Sequence, residues 1–182
     1  MSEIEADYAE AYSNRGWIRS ELGDLEKAVD DYARALRFSS AFAETFYYRA
    51  NAYMGLNQYE KSIKDFSQGI KLKPDVPEFH HNRGLLFSKL QEYSRSITDF
   101  TQAIRLKRDY AEAFMNRGCD FSDSGHVEKA IDDFTACIKL LLPTQRSGLA
   151  LGHCNRACAY MRLREYGSAL KDFEEAIRLK PD

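Results

Sequence analysis

Asn82-Arg83-Gly84 stands near the middle of a 182-residue chain, and its recurrence decides the fold. The same tripeptide occurs as Asn14-Arg15-Gly16 and Asn116-Arg117-Gly118, with looser copies at Tyr48-Arg49-Ala50 and Asn155-Arg156-Ala157. The arginines are spaced 34, 34, 34 and 39 residues apart. A second marker keeps the same beat: Asp31-Tyr32, Asp65-Phe66, Asp99-Phe100, Asp133-Phe134 and Asp172-Phe173. Two markers in step over five copies establish an array of like units that stack on their neighbours.

Each unit reads as two helices. In the first, a helix is expected over about 9–21, then the turn Leu22-Gly23-Asp24. A second helix is expected over about 25–38, where Leu25, Ala28, Val29, Tyr32, Ala35 and Leu36 recur every three or four residues as one apolar stripe. The spacing divides the chain into a polar lead-in, 1–8, and a single array, 9–182, with repeats at about 9–42, 43–76, 77–110, 111–149 and 150–182. Lys73-Pro74-Asp75 and Lys180-Pro181-Asp182 close two of the units. Gly16, Ala50, Gly84, Gly118 and Ala157 sit mid-helix, where glycine costs up to about 1 kcal/mol relative to alanine. That cost is accepted where a neighbour must come close, and the rings at 32, 66, 100, 134 and 173 are the groups expected there. Between the fourth and fifth units the beat lengthens by five residues, in Leu140-Leu141-Leu142-Pro143-Thr144-Gln145-Arg146-Ser147-Gly148, read as a tolerated surface insertion or, alternatively, as a local change of superhelix pitch that shapes a binding site. The extra residues make either a longer loop or a longer helix.

Composition narrows the functions. Basic and acidic residues nearly balance, 26 against 28, for a net charge of -2, which argues against nucleic acid as partner. No apolar run approaches the roughly 20 residues that span a bilayer, and Met1 to Asp7 lacks the apolar core of a secretion signal. No membrane association is expected, and a cytoplasmic location is. Cys119, Cys137, Cys154 and Cys158 form no disulfide framework and read as reduced, packed thiols. His80-His81 point to different sides of a helix, and Cys154 with Cys158 would need two further ligands to hold zinc. No metal site, cofactor, phosphate loop or paired-carboxylate centre stands out, so no enzyme activity is expected.

The residues Tyr12, Gly16, Ala28, Tyr32 and Ala35, and again Ala157, Tyr160, Ala169, Phe173, Ala176 and Pro181, resemble the tetratricopeptide repeat pattern. The resemblance covers about residues 9–182. Arg19 departs from it, as do Ser62 and Ser96 at alanine positions and Ser40, Arg108 and Leu142 at proline positions. It implies an all-α fold: an α-solenoid, a right-handed superhelix of five antiparallel helix pairs. It also implies a protein-interaction scaffold that holds a peptide or partner protein in a concave groove lined by the first helix of each pair. A targeting or regulatory module of a larger enzyme-containing protein is the alternative, and an RNA-binding helical array a weaker one. Relatives that bind acidic chaperone tails carry a lysine where this chain has Ser13, Tyr47 or His81 and later basic residues where it has Glu78 or Glu112 and Asn82 or Asn116, so such tails are not expected as guests.

Within that frame, Asn14, Asn82, Asn116 and Asn155 share one register, with Tyr48 in the second unit. An amide offers both donor and acceptor to a guest backbone; the structural alternative is a hydrogen bond between helices. Neighbouring positions vary as specificity positions would, among them Tyr47, His81, Trp17, Asn51 and Leu85. Trp17, Tyr47, Tyr48 and Leu85 are expected to form an apolar pocket, with ordinary packing the alternative for Trp17. Glu10, Glu44, Glu78 and Glu112 are expected near first-helix N-termini, where negative charge is favoured; the alternative is an acidic edge that selects basic partners by charge complementarity. The arginine and aspartate columns recur in every unit, as a structural ion-pair ladder would. Phe173, Ala176, Ile177 and Leu179 are expected to lack cover on the last helix. Either the chain is a fragment of a longer protein, or a homodimer forms through that helix.

Overall fold

The computed structural model describes residues 3–179. Among them are ten α-helices and no strand: α1 (Glu3–Glu21), α2 (Leu25–Phe38), α3 (Ala43–Gly55), α4 (Tyr59–Leu72), α5 (Pro77–Lys89), α6 (Tyr93–Leu106), α7 (Ala111–Asp123), α8 (Val127–Leu140), α9 (Arg146–Arg162) and α10 (Tyr166–Leu179). None is long and apolar enough to cross a membrane. Lys180-Pro181-Asp182 lies outside the described residues.

One element differs from the sequence reading, and another settles which of two readings holds. The first helix starts at Glu3 instead of near residue 9. Residues 3–8 contain no Gly or Pro, and Glu and Ala are strong helix formers. Tyr8 stacks on Phe38 at 5.9 Å, which holds this extension against α2. The extension leaves Glu10 in mid-helix, while Glu44, Glu78 and Glu112 do occupy first turns. The lengthened beat resolves as the longer helix: α9 has 17 residues where α3, α5 and α7 each have 13. Most of the insertion is thus an extra helical turn, Arg146 to Leu149, ahead of the position where the other first helices begin.

A common device separates the two helices of each pair. Residues Gly23, Asn57, Gln91, Gly125 and Arg164 all have positive φ, between 58° and 86°. Each donates its N–H three residues back and the next residue donates five back, as in Gly23 to Ser20 at 3.0 Å and Asp24 to Arg19 at 2.9 Å. This left-handed cap satisfies the last carbonyls and stops the helix.

The chain forms two compact units, Met1–Leu86 and Phe87–Asp182. In the first, Ala28, Tyr32 and Ala52 form one buried cluster. Ala43, Ala50, Phe66, Phe79 and Leu86 form another. In the second, Phe134 anchors Ala111, Met115, Val127, Ala130, Cys137 and Ala159. Tyr32, Phe66, Phe100 and Phe134 are all at most 1% exposed, and burying each such ring contributes about 2 kcal/mol. The small residues opposite them are needed: a Cβ on Gly118 would lie 2.7 Å from the Phe134 ring, and one on Gly16 the same distance from Tyr32. Ser62, where alanine is usual, is fully buried and donates to the Ala50 carbonyl at 2.7 Å, so its hydroxyl is satisfied.

Candidate functional site

The arginine and aspartate columns pair as expected in the first, second, fourth and fifth units. Arg15 grips Asp31 through Nε and Nη2 at 2.8 and 2.6 Å. Arg49 does the same to Asp65, Arg117 to Asp133 and Arg156 to Asp172, all between 2.6 and 2.8 Å. A third donor reaches back to a hydroxyl on the preceding helix pair: Arg83 to Ser67, Arg117 to Thr101 and Arg156 to Thr135, at 2.9 to 3.0 Å. The arginines therefore tie hairpins internally and to their neighbours. Environment decides the carboxylates' acidity. Hydrogen bonds from Arg15, aided by Arg19, hold Asp31 below its ordinary range. Asp172 also lies low: burial opposes this, but Arg156 and His153, whose Nδ1 is 2.7 Å away, prevail. At Asp133 burial wins over Arg117 and the value rises.

With these side chains committed, the first unit presents a different set to solvent. A cavity of about 280 Å³ opens between α1, α2 and α3, lined in part by Trp17, Tyr32, Tyr47, Tyr48 and Asn51. Trp17 is 49% exposed, so it is not a core side chain. Tyr47 and Tyr48 meet edge to face at 5.9 Å, and Tyr48 stacks on buried Tyr32 at 6.1 Å, which fixes the aromatic wall. Asn82 on α5 donates to the Tyr47 hydroxyl at 3.1 Å and to Asn51 Oδ1 at 3.4 Å. His81, buried, places Nδ1 3.3 Å from Asn82 Oδ1.

The predicted residues are thus partly united. Trp17, Tyr47, Tyr48 and Asn51 share one cavity, with Asn82 and His81 behind it. Leu85 is half-buried and does not line that cavity, contrary to expectation. Asn14 is exposed on α1 and does not line it either. Asn82 and Asn155 take the structural alternative: their amides bond between helices, Asn155 against the sulfurs of Met115 and Cys119 at 3.4 and 3.7 Å.

In the second unit, Asn116 lines a cavity of about 520 Å³ bounded by Met115, Cys137, Leu141, Leu151 and the extra turn of α9. Sequence reasoning raised this junction as one that shapes a binding site but did not assemble the cavity's lining. Its one signal was the five-residue lengthening. Burial pushes the Cys137 and Cys119 thiols up to about 11, so they stay protonated near neutrality and are poor nucleophiles or ligands. Among the described residues no group of three His, Cys, Asp or Glu converges as a metal site.

Comparison with known proteins agrees with this architecture. Models described as TPR repeat match residues 16–57 and 50–91, and models of the tetratricopeptide repeat match 77–110 and 150–182. The chain belongs to the tetratricopeptide repeat family. No curated protein matches the sequence. Among solved structures, a crystal structure of MamA protein is similar at 20% identity, covering 96% of this chain and 93% of that one, with a TM-score of 0.88. MamA from Desulfovibrio magneticus RS-1 is similar at 19% identity, covering 96% of each chain, with a TM-score of 0.88. YrrB, described as a TPR protein with an unusual peptide-binding site, is 22% identical over 94% of this chain and 86% of its own, with a TM-score of 0.81. These likenesses show the fold, an α-solenoid of the tetratricopeptide repeat kind. That fold is consistent with an interaction scaffold, and no catalytic family is indicated.

Proposed function

We propose that this tetratricopeptide repeat chain is a non-enzymatic interaction scaffold that holds a peptide or partner protein in a groove along its first helices. The observation that carries the reading is Trp17, half-exposed over a cavity walled by Tyr47, Tyr48 and Asn51. A large amphipathic ring held at the mouth of an aromatic cavity is the kind of anchor that dominates binding energy. Asn14 and Asn116 supply amides for a guest backbone, while Asn82 steadies the wall. The free cysteines fit a reducing, cytoplasmic setting, which cell fractionation tests.

Trp17 is the sole tryptophan, so its fluorescence reports on this cavity alone. Peptides selected from a random display library on the whole chain should shift its emission. They should lose most of their affinity for Trp17→Ala, and lose affinity for the Asn82→Ala, Asn116→Ala double variant while it remains folded. Equal binding to all three proteins with unchanged emission would overturn the reading. Self-association is the second part of the proposal. On α10, Tyr166, Leu170 and Ile177 are 60 to 65% exposed along one face, whereas Phe173, Ala176 and Leu179 are half-buried. Light scattering across a concentration series decides whether that face pairs with a second copy.

A further inference from the structure

The first unit contains its own example of how a first-turn glutamate is used. Glu44, in the first turn of α3, is ion-paired with Lys73, which follows α4. The pair borders a cavity of about 250 Å³ lined also by Tyr47, Tyr48, Val76 and Phe79. Sixty-eight residues on, at two repeat lengths, Glu112 occupies the place of Glu44 and Leu141 that of Lys73. Glu112 again lies in a first turn and borders a cavity, but this one measures about 520 Å³. Among the described residues Glu112 has no ion-pair partner. The cation that closes the first cavity is missing from the second, and the space is roughly doubled.

The other charge at this cavity is Arg146. Its Nε and Nη2 donate to the carbonyls of Leu179 and Arg178 at 3.0 and 3.1 Å, where a cation suits the C-terminus of α10. Gln145, also at the rim, accepts from the Leu142 N–H at 2.7 Å. Glu112 is therefore the charge left for a guest. Below it, Met115, Leu141 and Leu151 offer an apolar wall of the kind that takes a methylene stem.

We propose that this cavity takes a lysine or arginine side chain of the guest, its stem against Met115, Leu141 and Leu151 and its cation on Glu112. The proposal rests on the peptide-scaffold reading for the guest's identity, but its site, unit and reporter are different. The probes are N-acetyl-lysine methylamide, its norleucine analogue and its glutamate analogue. Each is titrated into the whole chain labelled with carbon-13 at the methionine methyls, following Met115. The lysine compound should move the Met115 resonance at about five-fold lower concentration than norleucine, as expected for one partly exposed ion pair. Glu112→Gln, an exposed substitution checked for folding by its Tm, should erase that preference, and so should high salt. Equal response to lysine and norleucine, preference for glutamate, or no movement of Met115 with any probe would each overturn the assignment. A response here with unselective behaviour at Trp17 would overturn only the groove reading.

Discussion

Arg117 and Asp133 are joined by two parallel hydrogen bonds of 2.8 and 2.7 Å across the α7–α8 hairpin, with side chains only 16% and 7% exposed. Burial alone would favour the neutral acid, so the arginine is what makes an anion tolerable there. Replacing Arg117 by methionine strands that carboxylate and removes the bond to Thr101. The expected loss is about 3 kcal/mol, read by urea unfolding. Adding Asp133→Leu should recover most of it, because the pair's attraction roughly offsets its desolvation. No recovery in the double variant would show that the pair contributes net stability.

The five positive-φ caps yield a prediction of the opposite sign. Gln91 and Arg164 adopt φ of 60° at positions where the first and fourth units carry glycine. Left-handed backbone costs a residue with a Cβ about 1 kcal/mol, and glycine nothing. Gln91→Gly should therefore raise stability by up to about 1 kcal/mol, seen as a higher Tm. Gly125→Ala, at φ 86° with open space around it, should lower stability by a similar amount.

The periodic parts of this fold were legible because every unit must solve the same packing problem. The arginine–aspartate ladder, the buried rings and the helix pairs recur for that reason, and the second helices all came out at 14 residues. What escaped lies where one unit differs from the rest. The caps at Asn57, Gln91 and Arg164 were hidden because only Gly23 and Gly125 advertise a turn. The Asn82 bonds to Tyr47 and Asn51 join residues 35 and 31 positions apart, which no local pattern encodes. The extra turn of α9 was one of two expected outcomes, and in it Gly148 comes so close to Leu141 that a Cβ there would stand 3.2 Å from the leucine's Cδ1.

Gly69 illustrates a one-off contact of this kind. It lies inside α4, buried, and a Cβ there would stand 2.0 Å from Cε1 of Phe79 on α5. Phe79 is itself pinned edge-on by Tyr47 at 5.3 Å and by Phe66 at 6.5 Å, so it has little room to yield. Gly69→Ala would gain about 1 kcal/mol of helix propensity in open solvent. Here overpacking should outweigh that gain, for a net loss of about 1–3 kcal/mol by urea unfolding. Because Tyr47 also walls the Trp17 cavity, the same variant should change the Trp17 emission.

Asp120 carries the pH dependence that is easiest to isolate. Its carboxyl is 1% exposed on α7, and burial raises its pKa above the ordinary 3.8, although a 2.6 Å bond from the Ser88 hydroxyl partly counters this. Nearby Asp123 pushes the same way as burial. Below the ordinary value, both the folded and the unfolded chain keep the proton, and Asp120 costs nothing. As the pH climbs through the raised value, the folded chain must ionise a group it holds more readily neutral, and stability falls until that titration is complete. Asp120→Asn keeps an acceptor for Ser88 and removes the charge. It should be more stable than the parent by about 1 kcal/mol at pH 7 and lose this advantage as the pH falls toward 3. Urea midpoints for the two proteins at several pH values provide the measurement, and an advantage that persists unchanged at low pH would mean that charge burial is not its cause.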